Sequence, residues 1–173
     1  AGLPIGKAFK SAEVIRRSDV RWIHLGHQHE ADGRWRVYVF ADEAAPALRG
    51  TPTAEFANWW QNDPASPKVL YTPKDVDTDA TFDTKVIYQQ DYTEVEPGPV
   101  PAAFKPIKHQ LGLEDVNQIF SAGHGRDIFR EREISRNGAI VVVRPDQYIA
   151  GIFPLDARAE VAEFFARHML PVK

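Results

Sequence analysis

Two periods of hydrophobic residues run along this chain: short stretches that alternate apolar and polar positions, as strands do, and others that repeat every three to four residues, as helices do. The densest apolar run, Ala139 to Val143, is hydrophobic at successive positions, which in so short a segment predicts a strand buried on both faces. Pro145 and Asp146 follow with the chemistry of a tight reversal. Gln147 to Phe153 is therefore predicted to return as the antiparallel partner, with Tyr148, Ala150 and Ile152 on one face and Ile149 and Phe153 on the other. A helix capped by Asp156 comes next, carrying Val161, Phe164, Phe165 and Met169 on one side, and Pro171 bars its extension. The C-terminal unit thus reads β-β-α.

Upstream, Val20 to Leu25 and Arg34 to Asp42 both alternate, and Asp32-Gly33 between them predicts a hairpin. The second strand places Trp35, Val37 and Val39 on one face and Arg36, Tyr38 and Phe40 on the other. Residues 1–19 show little periodicity and read as an extended entry segment. Thr51 as N-cap, Pro52 at the first helical position and the Phe56, Trp59, Trp60 face predict a helix that ends at Asn62-Asp63-Pro64. Asp63 to Pro73 reads as loop and Phe82 to Tyr88 as a strand with Phe82, Thr84, Val86 and Tyr88 on one face. The acidic run from Asp75 to Glu96 predicts a solubilising surface, and Pro97 to Pro106 an irregular crossing. Leu113, Val116, Ile119 and Phe120 fit a short amphipathic helix stopped by Gly123-His124-Gly125, before a charged stretch from Asp127 to Arg136 anchored by Ile128 and Phe129.

In order from Arg34, the elements are β-α-β, a helix across a long connection, then β-β-α. This is an α/β plan, a mixed sheet flanked by helices of the thioredoxin-like kind, with the N-terminal hairpin added at one edge. At 173 residues the chain is one domain that needs neither disulfide nor metal to fold. Its net charge of -3 gives no general attraction to nucleic acid or anionic membrane. The absence of cysteine removes thiol redox chemistry, cysteine nucleophiles and thiolate metal sites, and suits a cytoplasmic setting. No apolar segment approaches the roughly 20 residues that span a bilayer. Nothing at the N-terminus directs export, and with Met169 as its single methionine the chain reads as a fragment or a processed product.

Candidate chemistry is sparse. His24, His27 and His29 invite a metal reading because His27 and His29 would share a strand face, but Glu30 is adjacent rather than several residues on, and a polar hairpin end explains the run more simply. Gly123-His124-Gly125-Arg126 lacks the glycine spacing and the lysine of a phosphate loop, and no serine lies in a Gly-X-Ser-X-Gly setting. Arg16, Arg17, Arg21, Arg34 and Arg36 cluster near Trp22 and Trp35, yet Glu13, Asp19, Glu30 and Asp32 interrupt them, so base stacking along a basic groove is not supported. The adjacent Trp59 and Trp60 point about 100° apart on their helix, so one can enter the core while the other reaches the flank. Trp22, Trp59 and Trp60 are the candidate interface residues.

Several blocks carry a resemblance. Phe9-Lys10-Ser11-Ala12 to Asp19, Leu25-Gly26-His27, Ala31 to Asp42, Phe82 to Tyr88, Val141-Val142-Val143-Arg144-Pro145-Asp146-Gln147-Tyr148, and Leu155-Asp156-Ala157-Arg158 to Phe165 resemble the C-terminal region of FAD-dependent aromatic hydroxylases. The group is that of phenol 2-monooxygenase and 3-hydroxybenzoate 4-monooxygenase. The resemblance implies a thioredoxin-like domain without redox cysteines, appended to FAD and substrate domains and associated with homodimerisation. Residues 1–19 would be the exit from the FAD domain and 20–173 the C-terminal domain. The parent enzyme would use FAD, NAD(P)H and O₂ to hydroxylate a phenolic ring. This chain has no strand followed by Gly-X-Gly-X-X-Gly, so no catalytic, cofactor-binding or metal residue carries over to it. The competing reading is a free-standing thioredoxin-like binding module without redox activity.

Overall fold

In the computed structural model, which describes residues 2–108, 111–123 and 125–172, strands from both ends of the chain meet in one mixed sheet. Its seven strands among the described residues are β1 (Glu13–Arg16), β2 (Arg21–His24), β3 (Trp35–Phe40), β4 (Phe82–Tyr88), β7 (Ile119–Ala122), β8 (Ala139–Val143) and β9 (Ile149–Phe153). Two-residue strands β5 (Ile107–Lys108) and β6 (Leu113–Glu114) form a separate ribbon. Four helices accompany them: α1 (Pro52–Asn62), α2 (Pro67–Tyr71), α3 (Ile128–Glu131) and α4 (Arg158–Ala166). The sheet order is β2-β1-β7-β4-β3-β8-β9, parallel at β3–β4 and β4–β7 and antiparallel elsewhere.

The alternation in β3 separates two cores. Val37 and Val39 join Phe56 and Trp60 of α1, Phe82 of β4 and Phe165 of α4 on one face. Tyr38 and Phe40 join Val14, Ile87, Phe120 and Phe129 on the other. Trp60 is fully buried and its indole N–H donates to the Thr84 hydroxyl at 3.1 Å, so the helix is fixed over the sheet by packing and by one directed bond. Thr51 caps α1 by accepting from the Ala54 N–H, as its position before Pro52 predicts. Across the second core the segment before β1 runs from the far edge: Phe9 stacks on Tyr38 at 4.6 Å, and Ala8 bridges to Tyr148.

Several predicted elements come out differently. The N-terminal hairpin exists, but it joins β1 to β2, with Val14 opposite Ile23, rather than the 20–25 run to the 34–42 run. β3 is buried on both faces and takes β4 and β8 as neighbours, while a 3-10 turn at Leu25–Gln28 leads β2 away from it. The extended reading of residues 1–19 missed β1. The helix predicted from Leu113 to Phe120 is instead β6 and β7: Leu113 is 62% exposed, whereas Ile119 and Phe120 are buried by parallel pairing with β4. The run Gly123-His124-Gly125 therefore follows a strand, and His124 lies outside the described residues.

The loop predicted from Asp63 to Pro73 contains α2, which Ser66 caps by accepting from the Val69 N–H. Asp156 makes no side-chain cap; Ala157 holds that position and α4 starts at Arg158. A bulge puts Ala150 between residues paired to Val142 and Val143, so Ile149 faces the second core while Ala150 and Phe153 turn to the first, breaking the predicted alternation.

Candidate functional site

At the head of α1, where a helix N-terminus lowers the pKa of a thiol placed there, this chain has no thiol and an acidic residue instead. Asp42 is 7% exposed and its carboxylate accepts from the Ala44 N–H at 2.8 Å, the Thr53 N–H at 2.9 Å and the Thr53 hydroxyl at 2.7 Å. The Asp42 N–H in turn donates to the Thr53 hydroxyl oxygen at 3.0 Å. Every one of these polar groups is used to close the β3–α1 turn, which leaves none directed at a ligand.

The opposite ends of β3 and β4 hold a buried charge network. Arg36, wholly buried, donates to Asp32 at 2.6 and 2.9 Å and lies 3.1 Å from Asp83. Lys85 donates to Asp83 and to Gln118 at 2.7 Å, while Arg34 and Lys108 converge on Asp79 at 2.9 and 2.6 Å. Burial alone raises the Asp32 carboxyl, but hydrogen bonds from Arg36 and Arg34 outweigh it and hold the group well below the usual carboxylate range. For Lys85 the order reverses: burial lowers the ammonium, with Asp83 opposing. Asp79 and Asp83, both within the predicted acidic surface, are thus interior partners of cations. A polar cavity of about 270 Å³ adjoins them, lined by Arg16, Lys85, Asp115 and Gln118 among others. This is the scaffolding of a sheet end, with cations and carboxylates matched.

The three histidines do not converge. His24 lies against His27 at 4.9 Å and 3.7 Å from Glu13, whereas the ring of His29 sits 3.2 Å from the Pro145 carbonyl oxygen. Burial, then the nearby Arg36, lower the His29 pKa and favour the neutral ring. The 3-10 turn at Leu25–Gln28 removes the strand alternation that would have aligned His27 with His29. Among the described residues no group of three or more His, Asp or Glu side chains is placed to hold a metal ion.

Of the tryptophans singled out in the sequence, Trp60 is the one that enters the core, and Trp59 is half-buried on the flank of α1. Trp22 stands on β2 at the end of the sheet, 46% exposed. Its six-membered ring rests on Gly123, where even a β-carbon would come within 2.1 Å of it. That contact spans a hundred residues and no local signal announces it.

A seven-stranded mixed sheet between helical layers, with a hairpin added at one edge and no cysteine, defines a thioredoxin-like domain without thiol chemistry. It superposes on the solution structure of a proposed protein disulfide isomerase from Bacteroides thetaiotaomicron with a TM-score of 0.54 and 11% identity, covering 96% of this chain and 88% of that one. The C-terminal domain of a proposed thiol-disulfide oxidoreductase from the same organism gives 0.50 at 12% identity, over 94% and 99%. These likenesses concern the fold.

The chain belongs to the phenol hydroxylase C-terminal dimerisation domain family, whose model matches residues 1–173. It is 41% identical to 3-hydroxybenzoate 4-monooxygenase of Comamonas testosteroni over 98% of this chain and 27% of that protein. It is 24% identical to an FAD-dependent monooxygenase of Aspergillus terreus over 96% and 28%, and 25% identical to a phenol 2-monooxygenase of Aspergillus fumigatus over 92% and 26%. The chain therefore spans about a quarter of the length of these relatives.

The turn after β7 does not fit the phosphates of a flavin dinucleotide. Only β7 runs into a glycine pair, Gly123 and Gly125, and Asp127-Ile128 follows where a phosphate loop needs its third glycine. No helix of the described residues is long and apolar enough to cross a membrane.

Proposed function

We propose that this chain is the non-catalytic structural and dimerisation domain of an FAD-dependent aromatic hydroxylase. The other domains of the parent would hold FAD, draw electrons from NAD(P)H and use O₂ to hydroxylate a phenolic ring. The observation that carries this reading is the 41% identity to 3-hydroxybenzoate 4-monooxygenase across 98% of the chain, aligned to 27% of that protein. The interior supports it: the carboxylates of Asp42, Asp32, Asp79 and Asp83 at the ends of β3 and β4 are engaged by backbone groups or by buried cations. The identity is higher to the hydroxybenzoate enzyme than to the phenol 2-monooxygenase, 41% against 25%, which favours a hydroxybenzoate as the parent's substrate. Its partners are a second copy of the chain and the FAD and substrate domains of the parent; residues 1–19, expected to be an exit from the FAD domain, carry β1 and so belong in part to this domain.

The test uses the chain as it stands. Added FAD should leave its spectrum that of free flavin, and NADPH with 3-hydroxybenzoate or phenol should not be consumed. Light scattering should report twice the 19.5 kDa chain mass. NADPH oxidation by flavin-free chain would overturn the assignment.

A further inference from the structure

We infer that β2 is the dimer seam: its open edge pairs antiparallel with β2 of a second copy, and Val20 and Trp22 are held for that contact. This rests on the dimerisation reading above and deepens it by naming the surface.

Three non-glycine residues among those described have positive φ, Val20, Glu133 and Gln147, and Val20 at 56° is the one that is β-branched. A left-handed valine is unfavourable because its branched Cβ crowds the following carbonyl. Burial would offset that cost, yet Val20 is 44% exposed. It ends the turn that leads into β2, and Trp22, two residues on, is also exposed in part, with its six-membered ring against Gly123. Trp22 packs in part on Gly123, but the strain at exposed Val20 has no burial within the single chain to offset it, and strain of this kind points to a contact made elsewhere.

The two ends of the sheet differ in a way that selects the occupant. The outer side of β9 is used by the chain itself at its start: the Gly6 N–H donates to the Ile149 carbonyl at 2.8 Å, the Ile149 N–H to that of Lys7 at 2.9 Å, and the Phe9 N–H to that of Gln147 at 2.9 Å. β2 is the terminal strand at the other end, with β1 its one strand neighbour. The Leu25 N–H donates to the Ala12 carbonyl, which with the register Val14↔Ile23 sets Leu25, Ile23 and Arg21 toward β1. The main-chain groups of Trp22 and the His24 N–H then face outward, while the His24 carbonyl accepts the first bond of the 3-10 turn. An isologous contact suits such an edge, because the Trp22 N–H and C=O and the His24 N–H can bond groups of a second β2 across a two-fold axis.

Sedimentation velocity from micromolar to millimolar chain decides it. In Val20→Gly the strain and the side chain go together, so the monomer should melt higher while dimerisation weakens at least about tenfold. A purely structural Val20 would move both in the same direction. His24→Pro blocks the outward N–H and removes the imidazole, so His24→Ala, which removes the ring and keeps the N–H, is its control; His24 has φ -78°, which proline accepts, and the β1–β2 ladder does not use that N–H. It too should weaken the dimer at least about tenfold, while Ile152→Lys at the opposite edge leaves association unchanged. A dimer unaffected by Val20→Gly and His24→Pro overturns the seam and leaves the family's role intact. A chain monomeric at every concentration overturns the seam and the dimerisation reading together.

Discussion

The centre of the sheet and its β2 edge use similar residues to opposite effect. In the centre, Arg36, Lys85 and Asp83 are taken out of water and matched to one another, and Trp60 is buried with its N–H bonded to Thr84. At the edge, Arg21 and Trp22 face solvent and Val20 adopts a backbone conformation that suits glycine. A folded chain stable by its centre can carry an edge whose local terms are unfavourable, and where a protein keeps such an edge, the return lies in association.

The largest effect should come from breaking the centre. Asp83→Ala leaves the wholly buried Arg36 and the nearly buried Lys85 short of a carboxylate, and urea unfolding should show a loss of about 3 to 5 kcal/mol. A loss below about 1 kcal/mol would mean that the network does not hold the sheet end.

Lys68 sharpens the same point, since its Nζ donates to Gln61 rather than to a carboxylate. Burial lowers its pKa from 10.5 to about 8. Below pH 8 both folded and unfolded forms carry the proton and the fold bears the full cost of the buried charge. Between pH 8 and 10.5 the unfolded chain binds more protons, so this site's contribution to stability rises with pH, by about 3 kcal/mol at most. Lys68→Met should therefore be more stable than wild type at pH 7, and the gap should narrow across that window. A constant gap contradicts the shift.

Trp60→Phe removes the bond to the buried Thr84 and leaves a cavity, an expected loss of about 2 kcal/mol by thermal or chemical unfolding. The smallest change has the opposite sign: Val20→Gly should stabilise the monomer by about 0.5 to 1 kcal/mol. Destabilisation there would show that valine packs within its own chain and remove the contrast between edge and centre.

Local patterning was sufficient for β3, β4, α1 and the β8–β9 hairpin, because each is long enough to display its period and carries its own punctuation, as Thr51-Pro52 does for α1. β7 was misread because Leu113, Val116, Ile119 and Phe120 happen to satisfy helical spacing, and what makes Ile119–Ala122 a strand is pairing with β4, some thirty residues away in sequence. β1 has only Val14 and Ile15 between charged residues, too little to show alternation. The acidic run around Asp79 and Asp83 looked solvated because the cations that neutralise it, Arg34 and Arg36, precede it by more than forty residues. At the candidate interface, Trp22 was identifiable as an aromatic on a strand, but its seat on Gly123 and the φ of Val20 were not, since valine signals no turn. The division of labour between Trp59 and Trp60 followed directly from helical geometry.

The path of the first sixteen residues sets a timetable for synthesis. Gly6 to Phe9 bond to residues 147–149, and β1 pairs with β7 as well as with the adjacent β2, so this part of the chain has partners made more than a hundred residues later. At typical elongation rates the wait is on the order of ten seconds, during which Leu3, Val14 and Ile15, all buried in the finished protein, have no sheet to enter. Closing so distant a pairing is slow for entropic reasons as well. The opening segment is made early and can complete its contacts only late.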